Sequence, residues 1–257
     1  MASSFAEKKT LLFRRLKYML RRPKPPMLAA PFNGPVVVVG SAPVSHIPVD
    51  FDRTFRVITI NGSQAVTRKW GIAVPDITFM QYRQLDGLNT NALEVRRVLR
   101  GERTGMLYVL LWRKGMKSLN EHLKAFDFSY DRVQIVNRYE RIALVEKVCG
   151  LQVFELDAMS KCSNGVIAVL FALLNGATDV IISGINPNST GHVYNQENLS
   201  RLHVQMDSEM LLALVRQGYP VYTADPEVAQ SVGLPLWKGK ATATNLTAST
   251  GAAEHMR

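Results

Sequence analysis

Apolar residues in this chain come in short unbroken runs, each closed by a polar or glycine-bearing stretch. Residues 36–39, 57–60, 77–80, 107–111, 133–136, 180–183 and 221–222 have the length and continuity of strands buried on both faces. Between several of them the apolar spacing changes to a helical repeat, at 92–100, 166–175 and 200–217. Strands alternating with helices predict an α/β domain in which a mostly parallel sheet is covered on both sides. No internal repeat breaks this order.

The two ends follow other rules. Over residues 1–22, Leu12, Phe13, Leu16, Met19 and Leu20 gather on one side of a helical wheel, and Arg14, Lys17 and Arg21 lie opposite. This is a basic amphipathic helix, suited to lying in an anionic membrane surface. A solvated basic helix, or one docked on another subunit, shows the same pattern. Pro23, Pro25, Pro26, Pro31 and Pro35 make residues 23–35 a stiff linker, so the domain is expected over 36–237. The segment 238–257 is rich in Ala, Thr and Ser and is expected to be disordered.

Charge sharpens that division. The chain has 257 residues, 47% of them hydrophobic, and a formal net charge of +10. Residues 1–26 hold eight Lys/Arg against one Glu, and 238–257 hold three against one. The remaining body carries twenty basic and nineteen acidic residues, so no basic stripe for nucleic acid is expected on the fold. Cys149 and Cys162 give neither a disulfide framework nor zinc-ligand spacing, which predicts a reducing cytoplasm. No run reaches the roughly 20 apolar residues of a bilayer span. The expected location is cytoplasmic, peripheral on the inner face of the cytoplasmic membrane.

Candidate chemistry concentrates between Lys161 and Leu214. Ser163 is placed to cap a helix over 166–175, and a helix N-terminus attracts anions. The strand at 180–183 closes on Gly184-Ile185-Asn186, and ligands in α/β sheets bind beyond the carboxyl ends of strands. A loop with Asn188, His192 and Tyr194 follows, and then a helix with His203 and Asp207 four residues apart, on one face. Earlier, Gly40-Ser41-Ala42-Pro43 after the first strand either brings backbone amides to a phosphate or is a plain turn. Asn61-Gly62 either binds a nucleotide or occupies a left-handed turn. Ser163-Asn164 by itself reads as a cap.

Taken together, Ser163-Asn164-Gly165 with its helix, the strand ending in Ser183-Gly184-Ile185-Asn186, Tyr194 and the His203-x-x-x-Asp207 pattern resemble the bacterial sialyltransferases of glycosyltransferase family 42 and related transferases of CMP-Kdo and other ulosonic acids. The first strand with Gly40-Ser41-Ala42-Pro43 resembles that family's nucleotide loop, usually Gly-Asn-Gly-Pro, and 58–61 its second strand. The likeness spans roughly residues 36–225 and is loose between Tyr82 and Asp157. It implies a single Rossmann-like domain of the GT-A-variant type that transfers an ulosonic acid from its CMP ester. It further implies that Gly40, Ser41, Ala42, Asn61 and Gly62 contact the nucleotide, with Lys161, Ser163, Asn164, Gly165, Gly184 and Asn186 around the donor. His203 would be the general base, Asp207 its companion, and Tyr194 a ligand of the departing phosphate. Asn188 stands where the family has a second tyrosine, Lys161 where it often has arginine, and Ala42 where it has glycine. His192 matches no family base.

The expected reaction is inverting and metal-independent, with no cofactor: a CMP-sugar donor and a glycan or glycolipid acceptor, with Kdo on a lipopolysaccharide favoured over sialic acid by the membrane-facing end. A metal-dependent transferase is the nearest rival, because Asp50-Phe51-Asp52 spells Asp-x-Asp. Its place between the first two strands reads more simply as a turn. A catalytically inactive nucleotide-binding module, or a scaffold of a polysaccharide assembly complex, are the readings from other classes.

Overall fold

All seven expected strands are present and form one sheet in the computed structural model, which describes residues 5–157, 159–195, 197 and 203–240. They are β1 (Val36–Val39), β2 (Arg56–Ile60), β3 (Ile77–Gln81), β4 (Arg103–Leu110), β5 (Ser129–Val136), β6 (Val180–Ser183) and β7 (Val221–Thr223). The order is β5-β4-β3-β2-β1-β6-β7, and every neighbouring pair is parallel. The helices are α1 (Phe5–Arg21), α2 (Gln64–Thr67), α3 (Tyr82–Asp86), α4 (Thr90–Val98), α5 (Gly115–Lys124), α6 (Arg138–Cys149), α7 (Asn164–Leu174), α8 (Val204–Arg216) and α9 (Pro226–Val232).

Burial on both faces explains the continuous valine and isoleucine runs. Val36 and Val38 pack with α6, α7 and α8, whereas Val37 and Val39 pack with Val57 and Val66 on the other side. Toward the β5 edge that second side is filled from α3, α4 and α5 by Leu85, Val95, Leu119 and Leu123. Helix α7 runs through the densest part of the core. Its Phe171 meets Phe79 at 5.2 Å and Tyr108 at 4.9 Å between ring centroids, and those two rings stack at 4.9 Å.

Strands β4 and β5 begin at Arg103 and Ser129, four residues before their apolar runs. Parallel pairing to β3 and between the two strands recruits these polar starts, which apolar continuity does not mark. Helices α5, α6 and α9 also escaped the sequence pattern. In α6 charged and apolar residues mix without a clean face, because Ile142 and Leu144 are buried in the core while Glu146 meets α1. Asn137 nonetheless begins α6 with a capping box to Glu140. Helix α8 is seen from Val204, and residues 200–202 of the expected helix lie outside the described residues.

The ends attach to the domain. The Arg14 guanidinium donates to the Phe154 and Glu155 carbonyls, and the Tyr18 hydroxyl donates to Glu146 on α6. Lys17 and Arg21 lie 5.8 and 5.6 Å from the Tyr139 ring centroid. The basic side of α1 therefore docks on its own domain. Leu12, Phe13, Leu16, Met19 and Leu20 point outward, between 47% and 84% exposed. Along the linker, Asn175 at the end of α7 accepts from the Leu28 amide at 2.7 Å. Past β7, Trp237 packs edge-on to Phe55 and Tyr222, and Lys240 reaches Asp52 at 2.7 Å. Residues 241–257, the rest of the expected tail, lie outside the described residues.

Phe171→Ala should lower the unfolding free energy by about 3–5 kcal/mol, the usual cost of an aromatic-sized cavity in a rigid core. Urea denaturation followed by circular dichroism measures this. A loss below about 1 kcal/mol would mean that Phe79 and Tyr108 close over the gap.

Candidate active site

A parallel sheet has a switch point where connections turn from one side to the other, and here it falls between β1 and β6. The backbone approaches closely there. A Cβ on Gly40 would stand 2.3 Å from the Gly184 carbonyl oxygen, so only glycine fits. Gly40 N donates to the Ser183 carbonyl at 2.7 Å, and Ala42 N to the Gly184 carbonyl at 2.9 Å. Gly184 takes a left-handed φ of +63° and donates its amide to buried Asp225 at 2.6 Å. Burial raises the Asp225 carboxyl above its ordinary range, opposed by the Gly184 amide and His46.

Outside these strand ends opens a cavity of about 450 Å³. Gly40, Ser41, Asn61, Lys161, Ser163, Asn164, Gly165, Gly184, His203 and Asp207 all line it. Five separate stretches of sequence thus meet at one place. Asn61 has φ +51°, and its side-chain oxygen accepts from the Gln81 amide at 3.0 Å, so it ends β2 in a left-handed turn and also borders the cavity. Ser163 caps α7, its hydroxyl accepting from the Val166 amide at 3.3 Å. The Ser163 amide donates to Asp207 at 2.8 Å, which ties α8 to the start of α7. His203 caps α8 by position and accepts from the Asp207 amide through its own carbonyl at 2.9 Å.

Several expected residues act at one remove or elsewhere. Gly62 sits beneath Tyr194, where a Cβ would be 2.7 Å from the ring. Tyr194 is buried, and its hydroxyl lies 3.5 Å from the Ser41 hydroxyl, so it meets the cavity through Ser41. Ala42 is buried behind the loop. Asn186 accepts from the Asn188 amide at 2.9 Å in a tight turn, and neither side chain is part of the cavity wall. Asn188 is exposed.

Sequence reasoning set His192 aside, and it missed Arg141, Gln84 and Asn91, yet the cavity contains all four. The His192 ring stacks on Tyr194 at 5.3 Å, and its Nδ1 lies 2.8 Å from the Ser41 hydroxyl. Gln84 Oε1 and Asn91 Oδ1 are buried with no hydrogen-bond partner among the described residues. Arg141 donates through Nε to Glu155 at 2.9 Å, and through its terminal nitrogens to Asn164 Oδ1 and the Cys162 carbonyl, each at 3.1 Å. Because Arg141 takes the Asn164 oxygen, the amide NH2 of Asn164 is the group left for a ligand. No motif marks Arg141, which lies in the first turn of α6, 23 residues before its partner Asn164.

Among the described residues no group of three or more His, Cys, Asp or Glu is placed to hold a metal ion. Asp52 is engaged in a turn, accepting from the Thr54 amide at 2.9 Å and from Lys240. The bonds from Lys240 and Thr54 lower its carboxyl to about 2. Neither Asp50 nor Asp52 borders the cavity.

No protein-family model and no curated protein sequence matches the chain. Solved structures do. Similar folds include the sialyltransferase Cst-II of Campylobacter jejuni, in a complex with trisaccharide acceptor and CMP, at 11% identity and a TM-score of 0.53, covering 79% of this chain and 86% of that one. The monofunctional alpha-2,3-sialyltransferase Cst-I of Campylobacter jejuni matches at 14% identity and 0.52, covering 79% and 80%. At such identities the likeness is one of fold, and it is the fold that the resemblance in residues 36–225 implied.

Cys162 lines the cavity, but burial first, and Asp207 second, push its thiol up to about 12 from 9.0. Its thiolate fraction at pH 8 should be roughly a thousandfold below that of a free cysteine. Folded protein should therefore resist iodoacetamide at Cys162 and react only on unfolding. Rapid labelling of the native chain, read by mass spectrometry, would show a more open cavity floor.

Proposed function

We propose that the chain is an inverting, metal-independent glycosyltransferase that moves an ulosonic acid, Kdo or sialic acid, from its CMP ester to a hydroxyl of a bacterial glycolipid or polysaccharide. One observation carries this reading. His203, the N-terminus of α7 and the glycine-bearing strand ends of β1 and β6 line a single cavity at the switch point. Solved sialyltransferases of the same fold, one of them in a complex with CMP and a trisaccharide acceptor, support the donor class.

The chemistry follows from what each element offers. The Gly40–Ser41 loop and Asn61 receive the nucleotide. Anionic groups of the donor face the α7 N-terminus, where unpaired amides, the helix dipole and the Asn164 NH2 favour negative charge. His203 stands at the start of α8 and lines the cavity, where it is the candidate general base. The acceptor hydroxyl gives its proton to His203, and its oxygen bonds to the anomeric carbon. The bond to the CMP phosphate oxygen breaks on the opposite face, so configuration inverts. Donors fixed before the reaction hold the leaving phosphate. With one phosphate to stabilise and Asp52 engaged by Lys240, no metal bridge is assigned.

Helix α1 supports a peripheral membrane location. Its outward side presents Leu12, Phe13, Leu16, Met19 and Leu20, with Lys8, Lys9, Arg15 and Arg22 also exposed around them. Apolar side chains flanked by cations suit an anionic bilayer, at about 1 kcal/mol for each basic residue near the surface. No helix among the described residues is long and apolar enough to cross a membrane.

His203→Ala should reduce turnover by about 10²–10⁴-fold and leave CMP affinity near wild type. A CMP-release assay with several CMP-activated acids, run with and without EDTA, reads both claims. Full turnover in the variant removes the proposed base, and a chelator-sensitive rate restored by Mg or Mn makes Asp50 and Asp52 the residues to examine.

For the membrane, Leu16→Glu with Leu20→Glu should abolish sedimentation with anionic vesicles while sugar transfer to a soluble acceptor, read as CMP release, persists. These positions leave the Arg14 and Tyr18 contacts intact. Vesicle binding equal to wild type would assign the outward face of α1 to another role.

A further inference from the structure

Beside the main cavity lies a second one of about 290 Å³, and the two share Gln81, Leu111 and Lys161. Its wall carries Arg83, Arg113, Lys114, Arg138 and Lys161 against a single acid, Asp86. That acid is already committed, 3.0 Å from Lys114. Among the described residues Arg113 and Lys161 make no hydrogen bond or ion pair, and Arg83 donates only to the neutral Tyr82 hydroxyl at 3.0 Å. Arg138 lies 3.5 Å from Glu155, but that carboxylate is held more closely by Arg141 at 2.9 Å. The cations sense each other. Burial lowers the Lys161 ammonium below its ordinary value, and Arg141, Arg83 and Arg138 press in the same direction, against Glu155.

Like charges gathered in one recess repel until a counter-ion arrives. On the glycosyltransferase reading the donor's anionic groups go to the α7 N-terminus, Asn164 and Lys161 in the main cavity, which leaves Arg83, Arg113 and Arg138 of the recess unmatched. A single carboxylate would leave most of the charge unmatched. Phosphate carries more charge and matches the forked donors of arginine. The recess also lies near α1, since Arg138 and Arg113 both lower the Arg14 guanidinium, after burial.

We propose that this recess binds a phosphate or diphosphate group carried by the acceptor, next to the hydroxyl that is glycosylated. The word acceptor rests on the glycosyltransferase reading, whereas the anion site itself does not.

The test uses full-length protein and inorganic pyrophosphate, titrated by calorimetry with and without saturating CMP. Pyrophosphate should bind the CMP-saturated protein. Arg83→Gln with Arg113→Gln should weaken it about tenfold or more, leaving CMP affinity unchanged and the thermal midpoint no lower. A second arm compares sedimentation with vesicles of phosphatidylcholine alone and with added phosphatidic acid. Loss of the phosphatidic acid increment in the double variant identifies a lipid-borne phosphate. Weakening of pyrophosphate with the increment intact identifies a soluble phosphorylated acceptor. Exclusion of pyrophosphate by CMP, or unchanged pyrophosphate affinity in the double variant, would overturn the proposal. If CMP fails to bind at all, the donor reading falls, and the pyrophosphate arm still reports on the recess.

Discussion

Arg141 carries a full positive charge into the interior with 2% of its surface exposed, and the candidate site takes its shape from how that charge is met. An unpaired ion at such a depth costs several kcal/mol, so its partners are held as tightly as it is. Glu155 supplies the counter-charge, while Asn164 and the Cys162 carbonyl take up the remaining donors. These three partners come from the segment before α7 and from its first residue. The guanidinium thus fixes where α7 starts and which way the Asn164 amide faces. Arg14 then holds the Phe154 and Glu155 carbonyls, so α1 closes the same loop from outside.

The sheet sets the other boundary. Contact between Gly40 and Gly184 leaves no room for a side chain, which brings the β1 and β6 loops together at the switch point. Asp225 secures the Gly184 amide, and Asp207 secures the Ser163 amide. Two buried carboxylates therefore anchor the backbone of Gly184 and Ser163, both of which line the cavity. Across it the loop with His192 and Tyr194 folds onto Ser41, its Val193 amide donating to the Ser41 carbonyl at 2.8 Å. A ligand there meets walls held by hydrogen bonds rather than by loose side chains, so the cavity is preorganised.

Charge is distributed to match. Half of α1 spends its cations on the domain, through Arg14 to backbone carbonyls and through Lys17 and Arg21 to Tyr139. Its apolar half is turned outward as a result. Next to it the recess of arginines and lysines borders the main cavity, with which it shares Gln81, Leu111 and Lys161. Such an arrangement suits an anionic acceptor approaching from a surface.

The strands were legible because a parallel sheet buried on both faces demands unbroken apolar runs, and 36–39 and 180–183 stand out for that reason. Ser163 was legible as a cap because capping needs a short side-chain acceptor at one place. Asn61 was legible because left-handed turns favour asparagine. His203 and Asp207 were read as neighbours from helical spacing alone. Helix α6 was not readable, since its covering comes from α7 on one side and α1 on the other, and no single periodic face survives. Nor could Arg141 be found, because a buried arginine in a helix looks like any solvated one until its partners 14 and 23 residues away are placed. His192 was discounted for lying in a polar loop, and only tertiary packing laid it on Tyr194 beside Ser41. Local spacing determined the strands, caps and turns; long-range packing decided which distant polar groups share a cavity, because that depends on contacts no single stretch of chain contains.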